Sequence, residues 1–245
     1  MTISLILLAL GVGFVSGFFG VGGGTILVPT LLYLGFDIKR AIGISVTQML
    51  FSSLYGSYLN HKKGSLVLKE GYLLGIGGFI GALGSGAVVH FFPGKTLSFI
   101  FLAIVVFAIY RFFKAPAESD EEEINNKTLL FFIGAGVGLL AISVGVGGSI
   151  LLTPILVGFL HYNVKKAVSM ALFFVIFSSM SGFISLSFYG YIDYFYGFLV
   201  GIFSLLGVYF GILTAHKTHA KRHKKLILLL NFVILALIIN KIFNQ

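Results

Sequence analysis

Four of the five residues Gly20, Val21, Gly22, Gly23 and Gly24 are glycine, and Thr25 follows them. The pattern returns as Gly145, Val146, Gly147, Gly148 and Ser149. Glycine is costly inside a helix and tolerates left-handed backbone, so each cluster predicts a break in whatever helix contains it. Pro29 and Pro154 suit the first turn of the helix that resumes, where a missing N–H goes unnoticed. A helix starting near Thr25 or Ser149 presents unpaired N–H groups and the positive end of its dipole, which favour an anion. Backbone without side chains lets that anion approach closely, and the Thr25 and Ser149 hydroxyls add donors. Other glycine pairs, such as Gly71/Gly75, Gly134/Gly138 and Gly207/Gly211, need only close helix packing. Neither cluster has the Gly-Lys-Ser/Thr ending of a nucleotide-binding loop.

The elements that position these clusters follow from where the charges fall. The 245 residues carry 17 Lys+Arg and 8 Asp+Glu, with 58% hydrophobic residues. A soluble domain holds about 25% charged residues, whereas here they make up 10%. A soluble enzyme is thereby excluded. The net charge of +9 fits basic loops beside a membrane and does not point to nucleic acid. Eight long stretches lack any charge: 1–36, 41–61, 71–94 and 96–110, then 128–164, 167–192, 194–216 and 226–240. Runs of this length without two-residue alternation read as helices, and hydrocarbon tolerates only closed hydrogen-bonding structures. About 20 apolar residues cross a bilayer. The two 15-residue stretches can cross if Lys95, Arg111, Lys225 and Lys241 snorkel from their ends. Stretches 1–36 and 128–164 are too long for one helix and short for two with a turn, and both contain a glycine cluster.

The sequence repeats along with the lengths. The two glycine–proline clusters lie 125 apart. At an offset of 126, Lys39-Arg40-Ala41 matches Lys165-Lys166-Ala167, and Phe51-Ser52-Ser53 matches Phe177-Ser178-Ser179. Gly64, Gly71, Gly75 and Gly81 match Gly190, Gly197, Gly201 and Gly207 at the same offset. Such self-similarity calls for an internal duplication. Expected units are residues 1–114, a charged linker at 115–127, and residues 128–245. Helices broken at matching places in two halves are a sequence pointer to a transporter's substrate site.

A hydrophobic duplicated chain with Gly-Val-Gly-Gly-Gly…Pro near each repeat start resembles the sulfite exporter TauE/SafE family of anion permeases. That resemblance extends over essentially the whole chain. It implies a transporter of the cytoplasmic membrane for sulfite, sulfoacetate or other organosulfonates. The second motif departs from the first, with Ser149 and Ile150 where the first has Gly24 and Thr25.

Further polar residues sit in apolar stretches. Gln48 and Ser52 are four apart and share a helical face, and a Gln within a membrane needs partners. Gln48, Ser52, Ser53, Ser178 and Ser179 therefore join Gly20, Gly22, Gly23, Gly24, Thr25, Gly145, Gly147, Gly148 and Ser149 as candidate substrate-binding residues. The serines equally suit bonds to the preceding turn of their own helix. His216, His219 and His223 lie among lysines, which oppose metal binding, and read as a charged loop beside anionic lipid. No metal, cofactor or catalytic set emerges. No Asp or Glu lies within a stretch, and Glu70 and Asp193 at stretch ends are the nearest substitutes for a carboxylate relay.

Two topologies remain. If the interrupted stretches cross the membrane, the repeats are parallel and one side holds 10 of 17 basic residues. If they fold back, the repeats are inverted and one side holds 13 of 17. The positive-inside bias favours the second. The expectation is an all-α polytopic membrane protein of two homologous four-segment repeats, inverted, each starting with a glycine-broken re-entrant helix. Both termini are expected outside and the linker in the cytoplasm. The expected partners are the lipid bilayer and a small anionic substrate, with a channel or a membrane scaffold as the alternative functions.

Overall fold

The computed structural model describes residues 2–64, 68–114 and 122–243. Among these the regular structure is entirely helical, in eleven segments. The first half comprises α1 (Thr2–Phe19), α2 (Gly24–Tyr33), α3 (Ile38–Lys62), α4 (Leu68–Ala82), α5 (Ser85–Phe91) and α6 (Gly94–Lys114). The second comprises α7 (Lys127–Ser143), α8 (Ser149–Phe159), α9 (Val164–Phe188), α10 (Tyr194–Lys217) and α11 (Ala220–Phe243). Of the linker 115–127, residues 115–121 lie outside the described residues. Its remaining part docks through the Ile124 N–H on the Leu160 carbonyl, 3.1 Å, and through Glu123 paired with Lys166.

Among the described residues five helices are long and apolar enough to cross a membrane: Gly71–Phe91, Gly94–Lys114, Val164–Phe188, Tyr194–Lys217 and Ala220–Lys241. The α3 helix, at 25 residues, is long enough as well but carries Ser45, Thr47, Gln48, Ser52, Ser53, Ser57 and Asn60, all buried. Its polar groups face protein, while Phe195, Phe198, Ile202, Leu206 and Phe210 leave the outer face of α10 exposed and apolar. Among the described residues no Asp, Glu, Lys or Arg is buried.

The packing fixes the direction of each helix. A Cβ at Gly13 or Gly17 of α1 would strike the backbone of Ser204 or Val208 of α10, so these two helices run parallel with their small residues in contact. In the same way Gly134 and Gly138 of α7 meet Leu74 and Gly78 of α4, also parallel. One end of the bundle gathers Arg40 with Asp193, 2.6 Å, His90 with Tyr191, 3.2 Å, and Tyr33 with Asn240, 2.9 Å. We call it the terminal end, because α11 finishes there. The opposite, linker end gathers Asn60 with His216, 3.1 Å, His223 with the Phe18 carbonyl, 2.7 Å, and Arg111 with the Gly158 carbonyl, 2.7 Å.

Between these ends α1 runs from the terminal end toward the linker end, the chain turns at 20–24, and α2 returns. Its 10 residues rise about 15 Å, half the hydrocarbon thickness. The second half does the reverse: α7 leaves the linker end, turns at 145–149, and α8 returns there over 11 residues. Both interrupted stretches are thus hairpins that fold back, and they are inserted from opposite ends.

Two local expectations are corrected. Pro29 and Pro154 are not in first helical turns but are the sixth residues of α2 and α8. The helices start directly after a left-handed glycine, earlier than the prolines suggest, so Thr25 and Ile150 lose the donor four residues on that would cap their carbonyls. The stretch 71–94 also breaks, at Leu83-Gly84, into α4 and α5. Ser185 of α9 stitches that break, donating to the Leu83 carbonyl at 2.6 Å and accepting from the Gly86 N–H at 3.0 Å.

Candidate functional site

The two glycine turns have the same backbone. Gly23 caps α2 at φ 82°, ψ −27°, and Gly148 caps α8 at φ 81°, ψ −24°. Both are left-handed, a conformation in which only glycine is unstrained. With α2 and α8 each spanning half the thickness, both helix starts lie near the middle of the bundle, between α3 and α9.

There the turns touch. The Ser45 hydroxyl donates to the Gly145 carbonyl at 2.7 Å, and a Cβ on Gly24 would collide with that carbonyl and with Ser45. Met49 stands between the turns: a Cβ on Gly22 would lie 3.3 Å from its sulfur, and one on Gly147 would strike it. Ser52 donates to the Gly22 carbonyl at 3.3 Å. Gln48 lies over Gly23, where a Cβ would come within 2.6 Å of its Oε1. The Gln48 Nε2 donates to Ser204 at 3.2 Å, and Ser204 in turn donates to the Gly201 carbonyl at 2.7 Å. The Gln48 Oε1 and the hydroxyls of Thr25 and Ser149 are buried with no protein partner. A buried polar atom left unpaired costs about 1–3 kcal/mol, and these three lie on or beside the two helix starts.

Not every candidate residue joins this centre. Ser53, Ser178 and Ser179 are buried, but each hydroxyl bonds a carbonyl three residues back on its own helix, at 3.4 Å. Asp193 caps α10 through the Tyr196 N–H and pairs with Arg40, and is thus fully engaged. Among the described residues no cluster of three His, Cys, Asp or Glu could hold a metal. Ser45 and Met49 were not singled out from the sequence, although positions 45, 49 and 52 share the helical face that Gln48 and Ser52 define.

The match that decides kinship spans the entire bundle, as the profile of the sulfite exporter TauE/SafE family covers residues 5–238. The chain belongs to this family. It is similar to the Probable membrane transporter protein YdhB of Bacillus subtilis, 25% identical over 218 residues, 86% of this chain and 88% of that one. It is also similar to the Probable membrane transporter protein YunE of the same organism, 24% identical over 261 residues, 96% and 94% of the two chains. A third relative is a probable membrane transporter protein of Methanocaldococcus jannaschii, 27% identical over 190 residues, 74% and 70% of the two chains. This TauE/SafE protein is accordingly a multi-pass membrane transporter and not an enzyme.

Proposed function

We propose that this protein moves a small oxyanion, sulfite or an organosulfonate, across the cytoplasmic membrane. Its binding site is then formed by the turns at 20–24 and 145–149 with Gln48 and Ser52. The observation that carries this reading is the meeting of two left-handed glycine helix starts at mid-bundle beside three unpartnered buried oxygens. The helix starts and the Thr25 and Ser149 hydroxyls offer donors to an anion. The Gln48 Oε1 offers an acceptor, which suits an anion that still carries a proton, such as hydrogen sulfite. We further propose that residues 1–114 and 128–245 are duplicated units, since the hairpins, long helices and glycine–helix contacts recur in the same order from opposite ends. Inserted this way, two like hairpins can rock to expose a common centre to either side. The turns touch in the conformation described, so substrate binding parts them.

Orientation follows from charge. The linker end holds 13 of the 17 basic residues and the terminal end Lys39, Arg40, Lys95 and Lys241, which supports a cytoplasmic linker. The chain has no cysteine, so Ser119→Cys gives a unique label in the linker. The expected result is protection from an impermeant thiol reagent in intact cells, and labelling there reverses the assignment. Function is tested by flux of labelled sulfite and methanesulfonate into proteoliposomes. Saturable flux that falls at least tenfold in Thr25→Val supports the site. Flux that does not saturate indicates a channel, and none for either anion refutes the transport reading.

A further inference from the structure

At the linker end, next to the first glycine turn, the bundle has a half-open cavity into which several polar side chains reach. The cavity, of about 40 Å³, is walled by Asn60, Lys165, Val168, Ser169, His216 and His223. At 10–15 Å³ per enclosed water, it holds about three waters or one tetrahedral oxyanion. Val168 also backs the glycine turn, since a Cβ on Gly20 would run into its side chain and carbonyl. The cavity and the turn are thus separated by one residue.

The wall carries one fixed cation, Lys165, and no carboxylate among the described residues. Lys165 Nζ reaches the His216 carbonyl at 3.5 Å, and the His216 ring bonds Asn60 Oδ1 at 3.1 Å. His223 is 2% exposed. Its Nε2 lies 2.7 Å from the Phe18 carbonyl, which can only accept, so Nε2 carries the ring proton. The Nδ1 is buried with no partner and is free to take up a second proton. The groups around His223 would not compensate that charge. From α1 it meets Phe18 and Phe19; α3 presents Asn60, and α9 and α10 present Lys165 and His216. On its own segment His219 contributes a backbone carbonyl, and Lys224 turns away to the Phe113 carbonyl.

The opposite mouth lacks this arrangement. Lys39 reaches the His90 carbonyl at 3.3 Å, at positions 126 before Lys165 and His216. Yet Leu97 stands where His223 would be and Gly43 where Ser169 would be. The adjoining pocket there includes Asp37 and Asp193. The cationic pocket is therefore peculiar to the linker end.

We propose that the cavity between Lys165, His216 and His223 is a loading site that binds a small oxyanion together with one proton on His223. The loading role rests on the transport reading of the glycine turns, whereas the binding does not. The proton comes from solvent to Nδ1 and leaves with the anion, and no covalent bond changes. Calorimetric titration of the full chain with sulfate and with methanesulfonate, in two buffers of different ionisation enthalpy, tests it. We expect uptake of about one proton per anion and binding about tenfold weaker per pH unit in the range where His223 is neutral before the anion binds. His223→Asn, which keeps a donor for the Phe18 carbonyl, is expected to abolish the proton uptake. Lys165→Met is expected to weaken the proton-linked binding at least tenfold. Binding without proton uptake by the wild-type protein, or no binding of either anion, overturns the proposal. So does proton-linked binding kept at full strength in Lys165→Met. Proton-linked binding in a protein that moves no oxyanion leaves the site standing and removes the transport reading.

Discussion

The turns at 20–24 and 145–149 share a backbone to within a few degrees at Gly23 and Gly148, but their surroundings differ in kind. Over Gly23 lies Gln48, bonded to Ser204. Over Gly148 lies Phe174, whose ring a Cβ on that glycine would strike and which rests against Gly78 on its other side. Gln48 and Phe174 are 126 apart, as are Gly78 and Ser204. Thr25 faces Ile150 across the same comparison. A polar side chain therefore covers the first turn and hydrocarbon the second, while each keeps one unpaired hydroxyl, Thr25 and Ser149. Two equal frames carry unequal chemistry, and on the proposed function the first turn does more of the ligand recognition and the second more of the packing.

The largest expected effect lies on the packed side. Phe174 is fully buried, and Phe174→Ala should lower stability by about 3–5 kcal/mol, read as a fall in the unfolding midpoint of the purified protein. Gln48→Met removes a similar position on the other side but conserves volume, and it should cost under about 1.5 kcal/mol. Its effect should be on flux instead, a loss of about tenfold. Stability losses of equal size at the two positions would break the comparison.

Next come the positions where the turns meet. Gly24→Ala drives a Cβ into the Gly145 carbonyl, which is backbone and cannot step aside, and should cost about 1–3 kcal/mol. Ser149 already carries a Cβ at the equivalent place, so Ser149→Gly should change stability by less than about 1 kcal/mol. Thermal unfolding of the two variants side by side checks this.

Much of the frame was legible in the sequence, for physical reasons that also set the limit. Charges cannot enter hydrocarbon, so uncharged runs marked the helices, and glycine clusters marked the breaks at 20–24 and 145–149. Run length counts residues, however, and not direction. The fold-back was favoured in the sequence by the count of basic residues alone, and its geometry comes from contacts such as Gly13 with Ser204, 191 positions apart. The break at Leu83-Gly84 depends on Ser185, which is distant in sequence. His223 read as part of a charged loop because its neighbours are lysines; its burial comes from Phe18, 205 positions away. Gln48 stood out because an amide in an apolar run is conspicuous. Ser45 and Met49 did not, since serine and methionine are ordinary in such helices.

The smallest expected change in stability is the most informative. Thr25 and Ser149 are buried with hydroxyls that bond nothing in the protein. Were they there only for packing, replacing them with Val and Ala would relieve a desolvated oxygen, and the protein should gain up to about 1 kcal/mol with no functional loss. If a ligand supplies the missing partner, the same replacements should be neutral or stabilising in the ligand-free protein yet weaken saturable flux. The asymmetry of the turns sharpens the expectation: Thr25→Val, beside Gln48, should reduce flux more than Ser149→Ala, beside Phe174. Ser53→Ala and Ser178→Ala, which lose only bonds to their own helices, set the baseline at within about 0.5 kcal/mol and unchanged flux. Equal flux in Thr25→Val and the baseline variants would assign the unpaired hydroxyl to packing and leave the first turn no more functional than the second.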